Sequence, residues 1–209
     1  MRSPLLAFSA LLLATLPVFA AEATLRSPLV LAGPTAVFSS ATLNSILDDR
    51  DCTGVRFYNV LLDGSQTGAT IMAVGYQADG SDLNGGLFAQ PYKASSPIDR
   101  DPANVTELSR SAATDACGNV AASGAASYST TLSKADLQAL LALPGCGGVR
   151  VVVAEGTTDR LQVVAVSIAD GVATDLGRGG DYERSCGDPC PMLCGPPANY
   201  INAAHMQLK

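Results

Sequence analysis

The sequence predicts an α+β protein made of two diverged helix plus β-hairpin units, packed as a pseudo-symmetric pair and cross-linked by disulfides. Three observations support this. A block of sequence recurs ninety-four positions later, each copy has helical spacing followed by strand-like runs, and six cysteines occur in a chain that opens with an export-type segment. Cysteine-rich exported chains are typically stabilised by disulfides.

The N-terminal segment has the features of a signal peptide. Arg2 precedes an apolar run over residues 5–16, and small residues flank the end of "PVFA" at Ala20. This pattern is typical of a signal cleaved after Ala20. A membrane anchor needs about 20 consecutive apolar residues, and here polar residues and a proline interrupt the run. We therefore expect a periplasmic or secreted protein with no membrane span after cleavage.

The internal repeat centres on Cys52 and Cys146, each of which opens the pattern Cys, any residue, Gly, Val, Arg. Upstream, "LNSILDDRDCTGVR" aligns without a gap with "LQALLALPGCGGVR". Downstream, "IMAVGYQADGSDL" parallels "VVAVSIADGVATDL" with a small change in length. Two blocks in the same order indicate a duplicated unit.

The repeat divides the chain into six parts. They are a signal peptide (1–20), an N-terminal segment (21–38), a first helix-hairpin unit (39–83), an irregular linker (84–131), a second helix-hairpin unit (132–176) and a cysteine- and proline-rich tail (177–209). The linker is rich in Ala, Ser, Gly and Pro and weak in periodicity. Such a length is unusual inside a compact domain, so we expect either a linker or a segment ordered by cross-links.

Each unit begins with a predicted helix. Apolar residues recur at spacings of three and four, which places them on one helical face: Leu43, Ile46, Leu47, Leu137, Leu140 and Leu141. Ser133 with Asp136 forms a capping-box pattern, and Ser39 holds the equivalent N-cap position.

Each helix is followed by a predicted β-hairpin. Residues 149–154 and 161–168 are continuous Val-rich runs, and residues 55–62 and 69–76 form the more polar equivalent. Continuous apolar runs are typical of strands buried on both faces. We expect the unit's own helix to pack on one face and the other unit to pack on the second.

The second copy carries a family resemblance. "LLALPGCGGVRVVVAEGTTDRLQVVAVSIADGVATDL" followed by "CPMLCG" resembles a group of uncharacterised exported bacterial proteins, common in Bacteroidetes. In that group a Cys-x-Gly-Val/Ile-Arg strand, a hairpin, an Asp-Gly turn and a Cys-Pro-x-x-Cys tail follow one another. The first copy matches the body of the pattern but lacks the tail. The resemblance implies no activity.

Six cysteines allow at most three disulfides in fifteen pairings. In the repeat, "CG" at Cys117 parallels "CG" at Cys186. This parallel predicts the following bonds: Cys52 with Cys117, Cys146 with Cys186, and Cys190 with Cys194.

The tail also permits a different interpretation, a thiol or zinc site. Cys186, Cys190 and Cys194 are spaced four apart, and His205 would complete a Cys3His ligand set. The prolines around them prevent a regular helix, and the spacing matches no common zinc finger. We therefore expect no metal and no cofactor, with the zinc site as an alternative.

A polar site is predicted at equivalent positions of the two units. Arg56 and Arg150 lie between apolar strand residues, and four acids close the equivalent hairpins: Asp79, Asp82, Asp170 and Asp175. These residues would bind an anion or a cation, or form an Arg–Asp pair within each unit. The structural pair is favoured because Asp-Gly is also common turn chemistry.

The net charge and the residue content reduce the number of function classes that fit the sequence. The net charge of −6 argues against nucleic-acid binding, which needs a basic surface. His205 is the only histidine, so a His-based triad is not expected. The sequence leaves enzymatic activity undecided and favours a non-catalytic envelope or extracellular module that binds a protein partner or contributes structure. The alternatives are a thiol or zinc protein and a hydrolase whose turn carboxylates converge in a cleft.

Overall fold

The computed structural model describes residues 35–62, 69–83, 92–95, 105–123, 129–153 and 161–185. This part of the chain contains helices and antiparallel sheets, which confirms the α+β prediction. The elements are β1 (Ala36–Ser39), α1 (Ser40–Leu47), β2 (Gly54–Leu61), β3 (Ala69–Tyr76), β4 (Tyr92–Ser95), β5 (Val105–Leu108), α2 (Arg110–Ala122), β6 (Ser129–Ser133), α3 (Lys134–Leu141), β7 (Gly148–Val153), β8 (Leu161–Ala169), β9 (Val172–Asp175), a 3-10 turn (Gly180–Tyr182) and β10 (Glu183–Ser185).

The strands form two five-stranded sheets. The first sheet has the order β1-β7-β8-β10, with β9 also pairing with β8, and the second has the order β5-β4-β3-β2-β6. Both predicted hairpins are confirmed, because β2 pairs with β3 and β7 pairs with β8. Their Val- and Ile-rich runs fit the pleated surface of a buried strand.

The third strand beside each hairpin comes from far along the chain. β1 precedes α1 but pairs with β7, and β6 precedes α3 but pairs with β2. In the first pairing Ser39 lies opposite Gly148, and in the second Ser133 lies opposite Gly54. Each hairpin is thus extended by the strand that precedes the other hairpin's helix.

The helix starts follow the capping prediction. The Ser39 hydroxyl accepts a hydrogen bond from the Thr42 amide at 3.2 Å. The Ser133 hydroxyl accepts one from the Asp136 amide at 3.1 Å and donates one to the Asp136 carboxylate at 2.6 Å. Such caps satisfy amides that have no partner within the helix. The helices therefore begin where the local sequence indicates.

The central core lies between the two sheets and the helices α1 and α3. Its cluster of buried side chains contains residues of both sheets and of both helices. Phe38 on β1 and Phe57 on β2 contact each other with ring centroids 5.8 Å apart. Because aromatic pairs at this distance are well packed, this contact joins the two sheets directly.

A second cluster lies on the outer face of the second sheet, beneath α2. Tyr58 and Met72 of the sheet pack against Ala113, Ala116 and Cys117 of the helix. The structure here differs from the irregular linker predicted for residues 84–131, because β4, β5, α2 and part of β6 lie within that range. The buried face of α2 consists mostly of small or polar side chains, with Val120 the one large apolar residue among them, so hydrophobic periodicity does not reveal it.

The predicted pairing of Cys52 with Cys117 is not found. Cys52, Cys117 and Cys146 are free thiols. Cys52 belongs to the central core and Cys117 to the cluster beneath α2, so the second sheet separates them. Cys146 is also a free thiol, but its predicted partner Cys186 lies outside the described part of the chain, so that pairing stays a prediction.

Several other predictions concern residues that the structure does not describe. They are the signal peptide (1–20), nearly all of the N-terminal segment (21–38), Cys190 with Cys194, and His205. Within the described ranges, no helix has the length and apolar character needed to cross a membrane.

Candidate functional site

The repeated motif starts with a cysteine that bonds locally. The thiol of Cys52 donates to the carbonyl of Gly54 at 3.2 Å, and the thiol of Cys146 donates to the carbonyl of Gly148 at 3.2 Å. In both copies the cysteine therefore packs at the start of its strand and donates a weak hydrogen bond.

The glycine of the motif gives the neighbouring strand room to approach. A Cβ atom on Gly54 would lie 2.3 Å from the carbonyl oxygen of Leu132 on β6. A Cβ atom on Gly148 would lie 2.2 Å from the carbonyl oxygen of Phe38 on β1. Any side chain would push the paired backbone away, so strand pairing requires glycine at both places.

The valine and arginine of the motif lie on opposite faces of their sheets. Val55 and Val149 are fully buried in the central core. Since successive strand residues alternate between faces, Arg56 and Arg150 lie on the outer faces. The two arginines consequently occupy the outer surfaces of different sheets.

Arg56 is held in a closed site on the outer face of the second sheet. One terminal nitrogen, Nη1, donates to Oδ1 of Asp82 at 2.5 Å, and the other, Nη2, donates to the carbonyl of Gly80 at 2.8 Å. The hydroxyl of Tyr58 donates to Oδ2 of Asp82 at 2.5 Å. The side chains of Arg56 and Asp82 are 7% and 0% exposed. Solvent is therefore almost excluded from this ion pair.

Burial changes the titration of the groups around Asp82. It raises the pKa of the Cys117 thiol on α2 to about 12, and the negative charge of Asp82 adds to this rise. It also raises the pKa of Tyr58 well above its ordinary value, again with the charge of Asp82 contributing. Both groups stay protonated at neutral pH, because burial disfavours their charged forms.

Arg150 makes the same contacts in an open site on the first sheet. Its Nη1 donates to Oδ1 of Asp175, and its Nη2 donates to the carbonyl of Ala173 at 2.7 Å. The other carboxylate oxygen of Asp175 pairs with Nη2 of Arg178 at 3.1 Å. The side chains of Arg150, Asp175 and Arg178 are 24%, 19% and 68% exposed. Solvent reaches this site.

A groove of about 560 Å³ lies beside the open site. Its lining residues belong to β1 and the residue before it, β7, the β8–β9 turn, β9 and the segment that follows: Thr35, Val37, Arg150, Val152, Gly171, Val172, Ala173 and Arg178. Val172 is 63% exposed, which is unusual for a large apolar side chain in this protein. Clefts of this volume are typical of ligand sites, and this one is lined by polar and apolar surface in about equal measure.

The other two acids of the predicted polar site, Asp79 and Asp170, lie in turns. Asp79 accepts hydrogen bonds from the amide and hydroxyl of Ser81, which lower the pKa of its carboxyl group. Asp170 lies in the β8–β9 turn with a φ of 50°, a backbone conformation that Asp tolerates. The paired acids Asp82 and Asp175 lie on the outer faces of different sheets. The four acids therefore do not share one cleft.

Sequence reasoning missed two residues of these sites, Tyr58 and Arg178. Tyr58 lies two residues after Arg56, and such spacing places both side chains on one face of a strand. Arg178 lies three residues after Asp175 and pairs with it. The spacing in the first case and the charge pattern in the second are the signals that could have identified them.

Neither a cluster of metal ligands among the described residues nor a comparison with known proteins indicates another site. Among the described residues, no three His, Cys, Asp or Glu side chains lie close enough together to bind a metal ion. The predicted zinc ligands Cys186, Cys190, Cys194 and His205 lie outside the described residues. The chain matches no protein-family model, no curated protein and no solved structure.

Proposed function

We propose that the protein is an exported, non-catalytic binding module whose site is the groove beside Arg150 and Asp175. The observation that carries this proposal is the solvent-accessible groove of about 560 Å³ on the outer face of the first sheet. It combines apolar side chains with the guanidinium groups of two arginines, and small-molecule sites typically mix apolar surface with a few polar groups. Its walls are mostly strands, which favours a rigid, pre-formed site.

The comparison of the two arginine sites supports this location. The side chains of Arg56 and Asp82 are almost fully buried on the outer face of the second sheet. Arg150 and Asp175 keep the same contacts but remain accessible. Of the two equivalent places, the one on the first sheet is the one that a ligand can reach.

The engagement of the carboxylates supports a non-catalytic role. Acid–base catalysis by two carboxylates requires both to face one substrate. Asp82 and Asp175 are each paired with an arginine, and they lie on different sheets. Each carboxylate therefore neutralises an arginine, and the two are too far apart to act together in proton transfer.

We also propose that the two units are diverged copies that exchange one strand each. The recurrence of the Cys-x-Gly-Val-Arg motif supports this, as does the matching register of β1 on β7 and β6 on β2. The backbone amides of Ser40 and Lys134 donate to the carbonyls of Gly147 and Thr53, both at 2.8 Å. The two donors lie ninety-four positions apart in the sequence, and so do the two acceptors.

Export is proposed from the N-terminal sequence alone. Arg2, the apolar run over residues 5–16 and the small residues near Ala20 support cleavage by signal peptidase. Mass measurement of the protein isolated from its native cell tests this proposal. We expect a mature chain that begins at Ala21, and an intact N-terminus would contradict it.

Nile red, an uncharged dye that fluoresces in apolar surroundings, tests the binding site. We expect the full chain to bind the dye saturably with one site per molecule. Val172→Ser should weaken binding about fivefold, since the substitution removes about 1 kcal/mol of apolar contact. Fluorescence titration measures both dissociation constants.

Tyr182→Ser is the matched control, because Tyr182 is also an exposed apolar residue, at 41%, but does not line the groove. It should bind the dye like the wild type. The proposal is wrong if the dye does not bind saturably, or if Val172→Ser and the wild type bind it equally.

A further inference from the structure

The groove carries an excess of positive charge. Arg150 and Arg178 both line it, and both pair with the single carboxylate of Asp175. Among the described residues, Arg178 makes one ion pair, at Nη2, and its side chain is 68% exposed. Within the described residues, two arginines therefore share one carboxylate at the edge of the groove.

The closed site on the second sheet is built differently. There Oδ1 of Asp82 pairs with Arg56, and the second carboxylate oxygen accepts from the uncharged hydroxyl of Tyr58. At Asp175 the corresponding oxygen is taken by Arg178. A charged group thus replaces a neutral donor in the accessible site.

The wall beside this charge is apolar. Val37, Val152, Val172 and Ala173 line the groove next to the arginines. Val37 is 4% exposed while Val172 is 63% exposed, so the apolar surface continues from the sheet outward to solvent. Covering Val172 with an apolar group would remove this surface from water, which is favourable.

We propose that the groove binds an amphipathic monocarboxylate, that is, a molecule with an apolar chain or ring and one carboxylate. The apolar part packs on Val37, Val152 and Val172, and the carboxylate pairs with Arg178. This inference rests on the proposed function, that the groove is a binding site. A planar guanidinium binds a carboxylate through two parallel hydrogen bonds. Because Arg150 and Arg178 share the one carboxylate of Asp175 among the described residues, one further carboxylate matches their charge.

Three probes with the same ten-carbon chain test the proposal: decanoate, decanol and decylammonium. Each is titrated into the full chain, and its dissociation constant is obtained by displacement of Nile red. We expect decanoate to bind at least about tenfold more tightly than decanol, because a charge-assisted hydrogen bond contributes that much or more. Decylammonium should bind more weakly than decanol.

Arg178→Gln should remove the preference for decanoate over decanol and leave decanol binding unchanged. Arg178 is mostly exposed, so this variant keeps the fold. Arg50→Gln is the matched control, since Arg50 is 91% exposed and outside the groove and its loss changes the net charge equally. It should keep the full preference.

The outcomes separate the two proposals. Equal binding of decanoate and decanol, or tighter binding of decylammonium, overturns the monocarboxylate proposal while the groove remains a binding site. Loss of the preference in Arg50→Gln to the same extent as in Arg178→Gln also overturns the monocarboxylate proposal alone. Failure of Nile red to bind saturably overturns both proposals.

Discussion

The guanidinium of Arg56 donates to Asp82 at 2.5 Å in a site where the carboxylate is fully buried. Tyr58 and the carbonyl of Gly80 supply further hydrogen bonds to this pair. A buried ion pair is not in itself a large source of stability, because both charges lose their hydration. Removal of one partner, in contrast, leaves the other charge buried and unbalanced.

We therefore expect Asp82→Ala to lower the free energy of unfolding by about 3–5 kcal/mol, the range found when a buried pair loses one partner. Asp175→Ala should cost less, about 1–2 kcal/mol, because solvent reaches Arg150. Urea denaturation measures both values. Equal losses in the two variants would show that the difference in burial does not govern their stability.

The buried thiol of Cys117 predicts a loss of stability at alkaline pH. Its pKa is about 12 in the folded protein against an ordinary value of 9.0. The unfolded chain therefore loses this proton first as the pH rises, which stabilises the unfolded state. The contribution of the Cys117 thiol to the free energy of unfolding is therefore complete below about pH 9 and disappears as the pH approaches 12.

Between pH 9 and 12 the free energy of unfolding should fall with pH less steeply in Cys117→Ala than in the wild type. The two slopes should differ by up to about 1.4 kcal/mol per pH unit. Denaturation at several pH values measures this slope. Cys146→Ala is the control, since Cys146 is partly exposed. An unchanged slope in Cys117→Ala would exclude this thiol as a cause.

The positions of the cysteines predict how they react. Cys52 and Cys117 lie on opposite sides of the second sheet, so they cannot approach to the Cα separation of about 4.4–6.8 Å that a disulfide needs. Mass spectrometry of peptides from the non-reduced protein should show Cys52 and Cys117 in unlinked peptides. A peptide pair joined by these residues would contradict the arrangement of α2 on the sheet.

The motif glycines predict a large effect from a single methyl group. Gly54→Ala and Gly148→Ala should each lower the free energy of unfolding by about 3 kcal/mol, the upper part of the range for overpacking. The added Cβ meets backbone that cannot rotate away. Hydrogen exchange should also show weaker protection of β6 in the first variant and of β1 in the second.

Gly118→Ala is the matched control for these variants. Gly118 lies inside α2, and a Cβ atom there would meet nothing within 4 Å. The substitution should stabilise the protein by up to about 1 kcal/mol, since alanine is the better helix former. Destabilisation in all three variants would mean that the close approach of β1 and β6 is not the cause.

Local signals predicted the two hairpins and the starts of α1 and α3. Continuous apolar runs and the N-cap residues Ser39 and Ser133 depend on neighbours within a few positions. The helix α2 and the strands β1 and β6 escaped prediction for two reasons. The helix buries small side chains, and the strands are short and pair with partners far away in the sequence.

The repeat in the sequence identified the residues of the predicted polar site, but it could not identify the groove beside them. Arg150 and Asp175 stand where the repeat places them, and they pair. The groove, however, takes its walls from β1, β7 and β9, which only folding brings together. The pairing of Cys52 with Cys117 could not be judged from the sequence for a related reason. Order along the chain does not specify the face of a sheet on which a thiol lies, and these two thiols lie on opposite faces.

The pairing of β1 with β7 also has a consequence for the time at which the protein can mature. A ribosome releases residues 36–39 long before residues 148–151, which form their hydrogen-bonding edge. Until then the early strand has nothing to bind, and contacts between distant segments form slowly. Most of the polypeptide must therefore emerge before β1 can pair with β7. The first sheet is consequently completed only late in synthesis or after it.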